Sequence, residues 1–230
     1  MGIRHGKHLL ALTLCIWLVG GCAQMHMPKR PTWLGGKKEE PGPKIVTPRD
    51  KIEQLRQLSA NAKKMSPELQ LRISEELAQG IAHEQDPILR AQVLRTLGHF
   101  PTEKSASMLA AGLHDHERDV RIAACEGLGR HGGQLAATEL SHVLSDEADM
   151  DVRLAAARGL GATKATAAMP ALGDALEDQD PAMQHRAVAS LKEISGKDLG
   201  TDLGAWREFA KTGQAPEQPS FASRFLGWFR

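Results

Sequence analysis

The sequence predicts an all-α fold, a stack of about four helix pairs behind an extended N-terminal segment. Three observations predict it. A ten-residue motif recurs without gaps, its copies starting at positions 89, 120, 152 and 183. Aromatic residues make up only 4% of the chain and tyrosine is absent, so few side chains suit a pleated sheet, while Ala, Leu, Glu, Lys and Arg favour helix. Asp, Pro and Gly stand where helices would start and stop. The formal net charge is only +1, which provides no overall attraction to nucleic acid, and no nucleic-acid partner is expected.

The first element is an address. Arg4, His5, Lys7 and His8 precede an apolar run from Leu9 to Val19, followed by Gly20, Gly21 and Cys22. A basic start, a short apolar run and a small-residue site read as a secretory signal over residues 1–21. The run falls short of the ~20 apolar residues that span a bilayer. Leu18-Val19-Gly20-Gly21-Cys22 resembles the lipobox of bacterial lipoproteins. The resemblance implies a diacylglyceryl group on the sulfur of Cys22 and cleavage that leaves Cys22 as the new N-terminus. It further implies a bacterial cell envelope. Ala23, rather than Asp, follows Cys22. By the enterobacterial sorting rule this points to the outer membrane, facing the periplasm. A plain signal peptide or an uncleaved anchor is the other reading of the same run. Residues 22–47 are rich in Pro and Gly and carry Lys29, Arg30, Lys37 and Lys38. They lack any helical or strand period and read as an extended tether.

The repeats occupy residues 48–195. Thr47-Pro48-Arg49-Asp50 and Ser66-Pro67-Glu68 read as helix starts, each with a cap residue and Pro at the first helical position. Ile52, Leu55 and Leu58 give the first helix an apolar stripe; Leu69, Ile73, Leu77 and Ile81 give one to the second. The copies of the motif begin at Leu89, Val120, Val152 and Met183, with steps of 31, 32 and 31 residues. Between them a Leu-x-Asp turn recurs at Leu113, Leu144 and Leu176. Each unit is therefore a helix A ending at that turn and a helix B ending at Leu-Gly. Asp119 and Asp151 are expected to cap helix B, and Gly98, Gly129 and Gly161 to take the left-handed position at its C-terminus. The alanines and glycines of helix B allow close approach of its neighbours. The pattern Asp-Val-Arg-x-Ala-Ala-x-x-x-Leu-Gly resembles the HEAT-like repeats first described in phycobilisome lyases, over roughly residues 67–195. That resemblance implies a right-handed α-α superhelix with the B helices on the concave face. The fourth copy has Gln184 in place of the arginine and no glycine after Leu191, as expected of a terminal copy. Residues 196–213 read as a capping helix, with Trp206 and Phe209 plugging the end of the stack.

Motifs that carry chemistry are few. Gly127-Leu128-Gly129-Arg130-His131-Gly132 matches G-x-G-x-x-G but closes a helix instead of following a strand, so no nucleotide site is expected. His83-Glu84 and His116-Glu117 resemble the His-Glu pairs of the deoxyhypusine hydroxylases, which are built on similar repeats. In that family the pair sits inside helix B, where this chain has Ala91-Gln92, Ile122-Ala123, Leu154-Ala155 and His185-Arg186. No metal and no cofactor is expected. Cys125 reads as a small packing residue.

Two surfaces are candidates for a partner. With Val120, Ala124 and Leu128 as the buried stripe, three rows of helix B face outward at 100° per residue. They are Ala91, Ile122, Leu154 and His185; then Leu94, Cys125, Ala157 and Val188; then Arg95, Glu126, Arg158 and Ala189. From these rows Leu94, Arg95, Ile122, Glu126, Leu154 and Arg158 form a candidate partner-binding face, unless the apolar members only touch neighbouring B helices. In the repeat family that this pattern resembles, the arginine at the position of Arg90, Arg121 and Arg153 pairs with the Asp of an adjacent turn, which implies that this row is structural. Residues 214–230 read as a linker and an amphipathic tail in which Phe221, Phe225, Trp228 and Phe229 share a helical face. That face suits a membrane interface, a partner or the protein's own solenoid. The function expected is a non-enzymatic scaffold, anchored to a membrane through Cys22 and presenting its repeats to an unidentified protein partner. A lyase-like or metal-binding enzyme, or an enzyme accessory, is the alternative.

Overall fold

A computed structural model describes residues 46–215. Cys22 with the signal, nearly all of the tether, and the tail residues Phe221, Phe225, Trp228 and Phe229 lie outside the described residues. The described chain is helical, with ten α-helices and no strand. In order these are α1 (Pro48–Asn61), α2 (Pro67–Ile81), α3 (Pro87–Leu97), α4 (Glu103–Gly112), α5 (Arg118–His131), α6 (Gly133–Asp146), α7 (Met150–Thr163), α8 (Met169–Ala175), α9 (Pro181–Ser195) and α10 (Leu203–Thr212). None of them is long and apolar enough to cross a membrane.

Local chemistry explains most of the helix starts. Thr47 and Asp50 form a reciprocal capping box at α1, and Ser66 accepts from the Leu69 N–H at α2. Asp86, Asp149, Asp180 and Asp202 cap α3, α7, α9 and α10 with side-chain oxygens. Asp119 and Asp151 do not cap. They lie one or two residues inside α5 and α7, in the first turn, where a negative charge faces the positive end of the helix dipole. The cap position of α5 is Glu117, whose side chain makes no capping bond.

The helices stack in two layers. The B layer is α1, α3, α5, α7 and α9, each packed on the next; the A layer is α2, α4, α6, α8 and α10. Helix pairs α2–α3, α4–α5, α6–α7 and α8–α9 are the four repeats. The stack is an α-α solenoid. α1 extends the B layer at one end and α10 the A layer at the other. One core runs between the layers, from Ile81 through Leu94, Leu109, Leu128, Leu140, Leu160 and Leu172 to Trp206. Trp206 is fully buried, donates its indole N–H to the Gly200 carbonyl at 3.0 Å and meets Phe209 edge-on at 6.0 Å. Thus an aromatic pair closes the end at α8 and α9.

The glycines of the repeat serve a different purpose from the one their position suggests. Gly98 has φ −59°, and Gly129 and Gly161 lie within α5 and α7, which run two residues past Leu-Gly. None takes positive φ; Gly132 and Gly196 do, where α5 and α9 end. What Gly98, Gly129 and Gly161 permit is contact between helices. A Cβ on Gly129 would stand 2.6 Å from the Gly159 Cα, and one on Gly98 2.7 Å from the Gly127 Cα. A Cβ on Gly161 would meet Ser190 at 2.9 Å. Gly127, Gly159 and Ser190 are one repeat register, and Ser190 uses its hydroxyl to donate to the Ala157 carbonyl at 2.8 Å.

These contacts separate two glycine substitutions of the same kind. Gly129→Ala should destabilise by at least the ~1–3 kcal/mol typical of overpacking, since its neighbour is backbone and cannot rotate away. Gly80→Ala, on exposed α2 with nothing within 4 Å of the added methyl, should stabilise by about 0.4–1 kcal/mol. Urea midpoints of the two variants check this; equal shifts would rule out the backbone contact.

Candidate partner-binding face

Each inner B helix (α3, α5 and α7) packs on its A partner and on B helices to either side, so only a narrow stripe remains there for a partner. Leu94 shows why the expected face needs correcting. It is 1% exposed, and its register mates Cys125 and Ala157 are fully buried. The single buried stripe assumed on the helical wheel omitted the flanks, where neighbouring B helices cover these positions. Val188, in the last B helix, is half-buried. Leu94 therefore belongs to the core and not to a binding face.

The other five expected residues reach the surface to different extents. Arg95 and Glu126 are half-exposed and bonded to each other across α3 and α5, with Arg95 Nε 2.7 Å from Glu126 Oε2. Ile122 and Leu154 are half-buried, and Arg158 is exposed. Between α3 and α5 the stripe deepens into a groove of about 200 Å³, with Ile88, Ala91 and Ile122 among its apolar lining and Arg95, Glu117 and Asp119 at its charged edges. Ile88 was not among the expected residues, yet among the described residues it is the most exposed large apolar side chain, at 65%. Its signal was phase: it precedes Leu89 directly, so it falls off the stripe that buries Leu89, Leu94 and Leu97.

The arginine row is structural. Arg90 forks onto Asp115, with Nε and Nη2 each 2.9 Å from a carboxylate oxygen. Arg121 does the same to Glu147 at 3.0 and 3.3 Å, and Arg153 pairs with Asp178. Each carboxylate also accepts a backbone N–H two residues on, from Glu117, Asp149 and Asp180 respectively. Burial alone would push the Asp115 carboxyl up. The bond from Arg90, the Glu117 N–H and the guanidinium charge outweigh it and hold the group below its ordinary 3.8. Asp178 is held low as well, first by the Asp180 N–H and then by Arg153.

The same arrangement occupies the residues that resembled reactive ones. Asp115, beside His114 and His116, is committed to Arg90. His116 is 77% exposed, and among the described residues no three His, Cys, Asp or Glu side chains converge to hold a metal ion. Cys125 is buried in α5; burial, with Glu147 and Glu126 nearby, pushes its thiol up to about 12, so it stays protonated at neutral pH. Gly127 and Gly129 pack against neighbouring helices, which leaves them no phosphate to cradle.

Among known families, one described as HEAT repeats matches residues 74–153 and 137–205. No curated protein matches the chain.

The depressed carboxyls give the stack an acid sensitivity whose sign is determined. A carboxyl with lowered folded pKa contributes stability that is present above its unfolded value, near 4, and is lost as pH falls through the lower folded value. Asp115→Asn should cost about 1–3 kcal/mol near pH 7, by weakening a charge-assisted fork whose partner is only 11% exposed. It should also make the decline of stability below about pH 4 shallower than in the parent chain. Urea melts followed by far-UV circular dichroism across that range measure both; parallel pH profiles would show that Asp115 does not carry the effect.

Proposed function

The chain belongs to the HEAT-repeat family, and on that premise we propose that it is a non-enzymatic scaffold that binds a protein partner along its B layer and is held at a bacterial envelope membrane by acyl chains on Cys22. The observation that carries the reading is the groove between α3 and α5, where Ile88 stands largely in solvent beside Ala91 and Ile122 and between charged edges. A partner helix or extended peptide that places an apolar side chain there would remove Ile88 from water, while Arg95, Glu117 and Asp119 set its direction. Leu154 and Arg158 continue the stripe onto α7. Three side chains of reactive types are engaged in holding the fold: Cys125 in the core, Asp115 on Arg90, and His131 between two backbone carbonyls.

The lipobox-like Cys22 supports attachment to the periplasmic face of the outer membrane, and the Pro- and Gly-rich segment after it would let the solenoid stand off the lipid. Acyl chains contribute about 0.8 kcal/mol per buried CH₂, so two or more of them hold a protein without a spanning helix.

Two measurements test the two halves of this reading. Mass analysis of the mature N-terminus should find a diacylglyceryl cysteine at Cys22; an intact residue 1 or an unmodified Cys22 would remove the anchor. Crosslinking in native membranes should give a discrete partner whose yield drops at least several-fold in Ile88→Asp, with an unchanged melting midpoint because Ile88 is exposed. An unchanged yield would exclude the groove as the docking site.

A further inference from the structure

A second concavity lies away from the groove, on the edge where B helices hand over to A helices. It is formed by the 3-10 turn Ala62–Lys64, the loop after α3 and the end of α5. Its volume is about 500 Å³, within the ~300–1,000 Å³ usual for small-ligand sites. Lys63, Gln70, His99, Arg130 and His131 line it together with Gly98 and Pro101, and no carboxylate does. We propose that this pocket binds a phosphate group, with Lys63, His99 and Arg130 as its ligands.

The argument rests on basic side chains that line one pocket with no carboxylate among them. Arg90, Arg95, Arg121 and Arg153 each lie against a carboxylate. On the same edge as the pocket, Lys192 pairs with Asp198 at 2.8 Å and Lys197 lies 4.9 Å over the ring of Phe209. Among the described residues Lys63 and Arg130 have no such ion-pair partner. The one bond of the Arg130 guanidinium is a long one, 3.5 Å from Nη1 to the Arg95 carbonyl at the end of α3. That contact complements the negative end of α3 and leaves the other guanidinium donors uncommitted.

A second observation is independent of ion-pair geometry. The His99 ring is held below its ordinary value, first by burial and then by the charges of Arg130 and Lys63. Every charge that acts on it there is positive. The walls are fixed: His131 has its Nε2 3.2 Å from the Thr102 carbonyl and its Nδ1 3.3 Å from that of Gly132, and Gln70 donates to the Ala62 carbonyl at 2.8 Å. A phosphate placed between them would accept paired N–H bonds from the planar fork of Arg130, a point charge from Lys63 and a hydrogen bond from His99. The chemistry is that of a phosphate ester or free phosphate, and two sources fit it: a phospholipid headgroup or a soluble phosphate compound.

Both sources are separable in one experiment on the full-length chain. Inorganic phosphate is titrated at low ionic strength while the His99 ring is followed by NMR, with chloride as the control anion. The expected result is a saturable shift and a rise in the His99 midpoint, with affinity weakened at least tenfold in Arg130→Gln and in Lys63→Ala. Those side chains are exposed, so both variants should keep the parent melting midpoint. In parallel, sedimentation with phosphatidylglycerol-containing vesicles is compared with pure phosphatidylcholine vesicles. A loss of the phosphatidylglycerol-dependent excess in the two variants identifies the lipid headgroup; an unaltered excess, while phosphate binding is weakened as expected, identifies a soluble phosphate compound. A His99 response that is equal for chloride and phosphate, or unchanged in both variants, would overturn the proposal.

Discussion

Consecutive B helices touch backbone to backbone at Gly98–Gly127 and Gly129–Gly159, and at Gly161 the contact is made with Ser190. The rest of the stack depends on this contact, because it sets how closely repeats approach and so which side chains are covered. With helices this close, positions on both flanks of each B helix lose water: Leu94, Cys125 and Ala157 on one register, Ala123 and Ala155 on another. Burial of apolar area is the main source of stability here, at about 25 cal/mol per Å². The glycines extend that burial over most of the helix circumference. The ends of the B layer are built differently. Thr96 and Ser190 replace the glycine there, and each bonds to a carbonyl of a neighbouring helix, Leu55 for Thr96 and Ala157 for Ser190.

The arginine ladder complements the glycine contact. Glycines bring helices together but leave the turns beside them free to shift. Each of Asp115, Glu147 and Asp178 holds the turn that starts a B helix and receives an arginine from the preceding B helix. One carboxylate therefore shapes its own repeat and joins it to the one before. The two end positions show the rule by departing from it. Glu84, in the first repeat, faces Lys51 at 3.8 Å, a looser pair; Gln184, in the last, keeps only the local bond to the Asp178 carbonyl at 2.7 Å. The carboxylates of these turns are thus committed to arginines, whereas Lys63 and Arg130 line a pocket with no carboxylate in its walls.

Much of this was legible before any coordinates. The register of Leu89, Val120, Val152 and Met183 marks four repeats, because each copy must present the same stripe to the same neighbours. Thr47 and Ser66, each followed by Pro, mark helix starts because capping and proline chemistry are local. A structural role for Arg90, Arg121 and Arg153 was implied by the resemblance to the repeat family, but the choice of Glu147 by Arg121, in place of Asp146 of the Leu-x-Asp turn, was not. The candidate face was read less well. Arg158 is exposed and Ile122 and Glu126 are partly so, but Leu94 is buried, and Ile88, which stands in solvent, lies outside the expected set.

The division has a physical cause. By itself the sequence determined what acts over a turn or two of helix and what repeats: the helices, most of their starts, their pairing and their number. Only the tertiary structure decided what depends on separations between helices. It moved Gly129 from a backbone-conformation role to a packing role, because a Cβ clash with Gly159 is a matter of distance between two helices 30 residues apart in sequence. It buried Leu94 and left Ile88 in water, because exposure is set by how many neighbours flank a helix and not by its wheel alone. It also brought Lys63, His99 and Arg130, from three successive B-layer ends, around one pocket without an acid among them. No spacing along the chain announces that, since the stacking of repeats is what makes these ends adjacent.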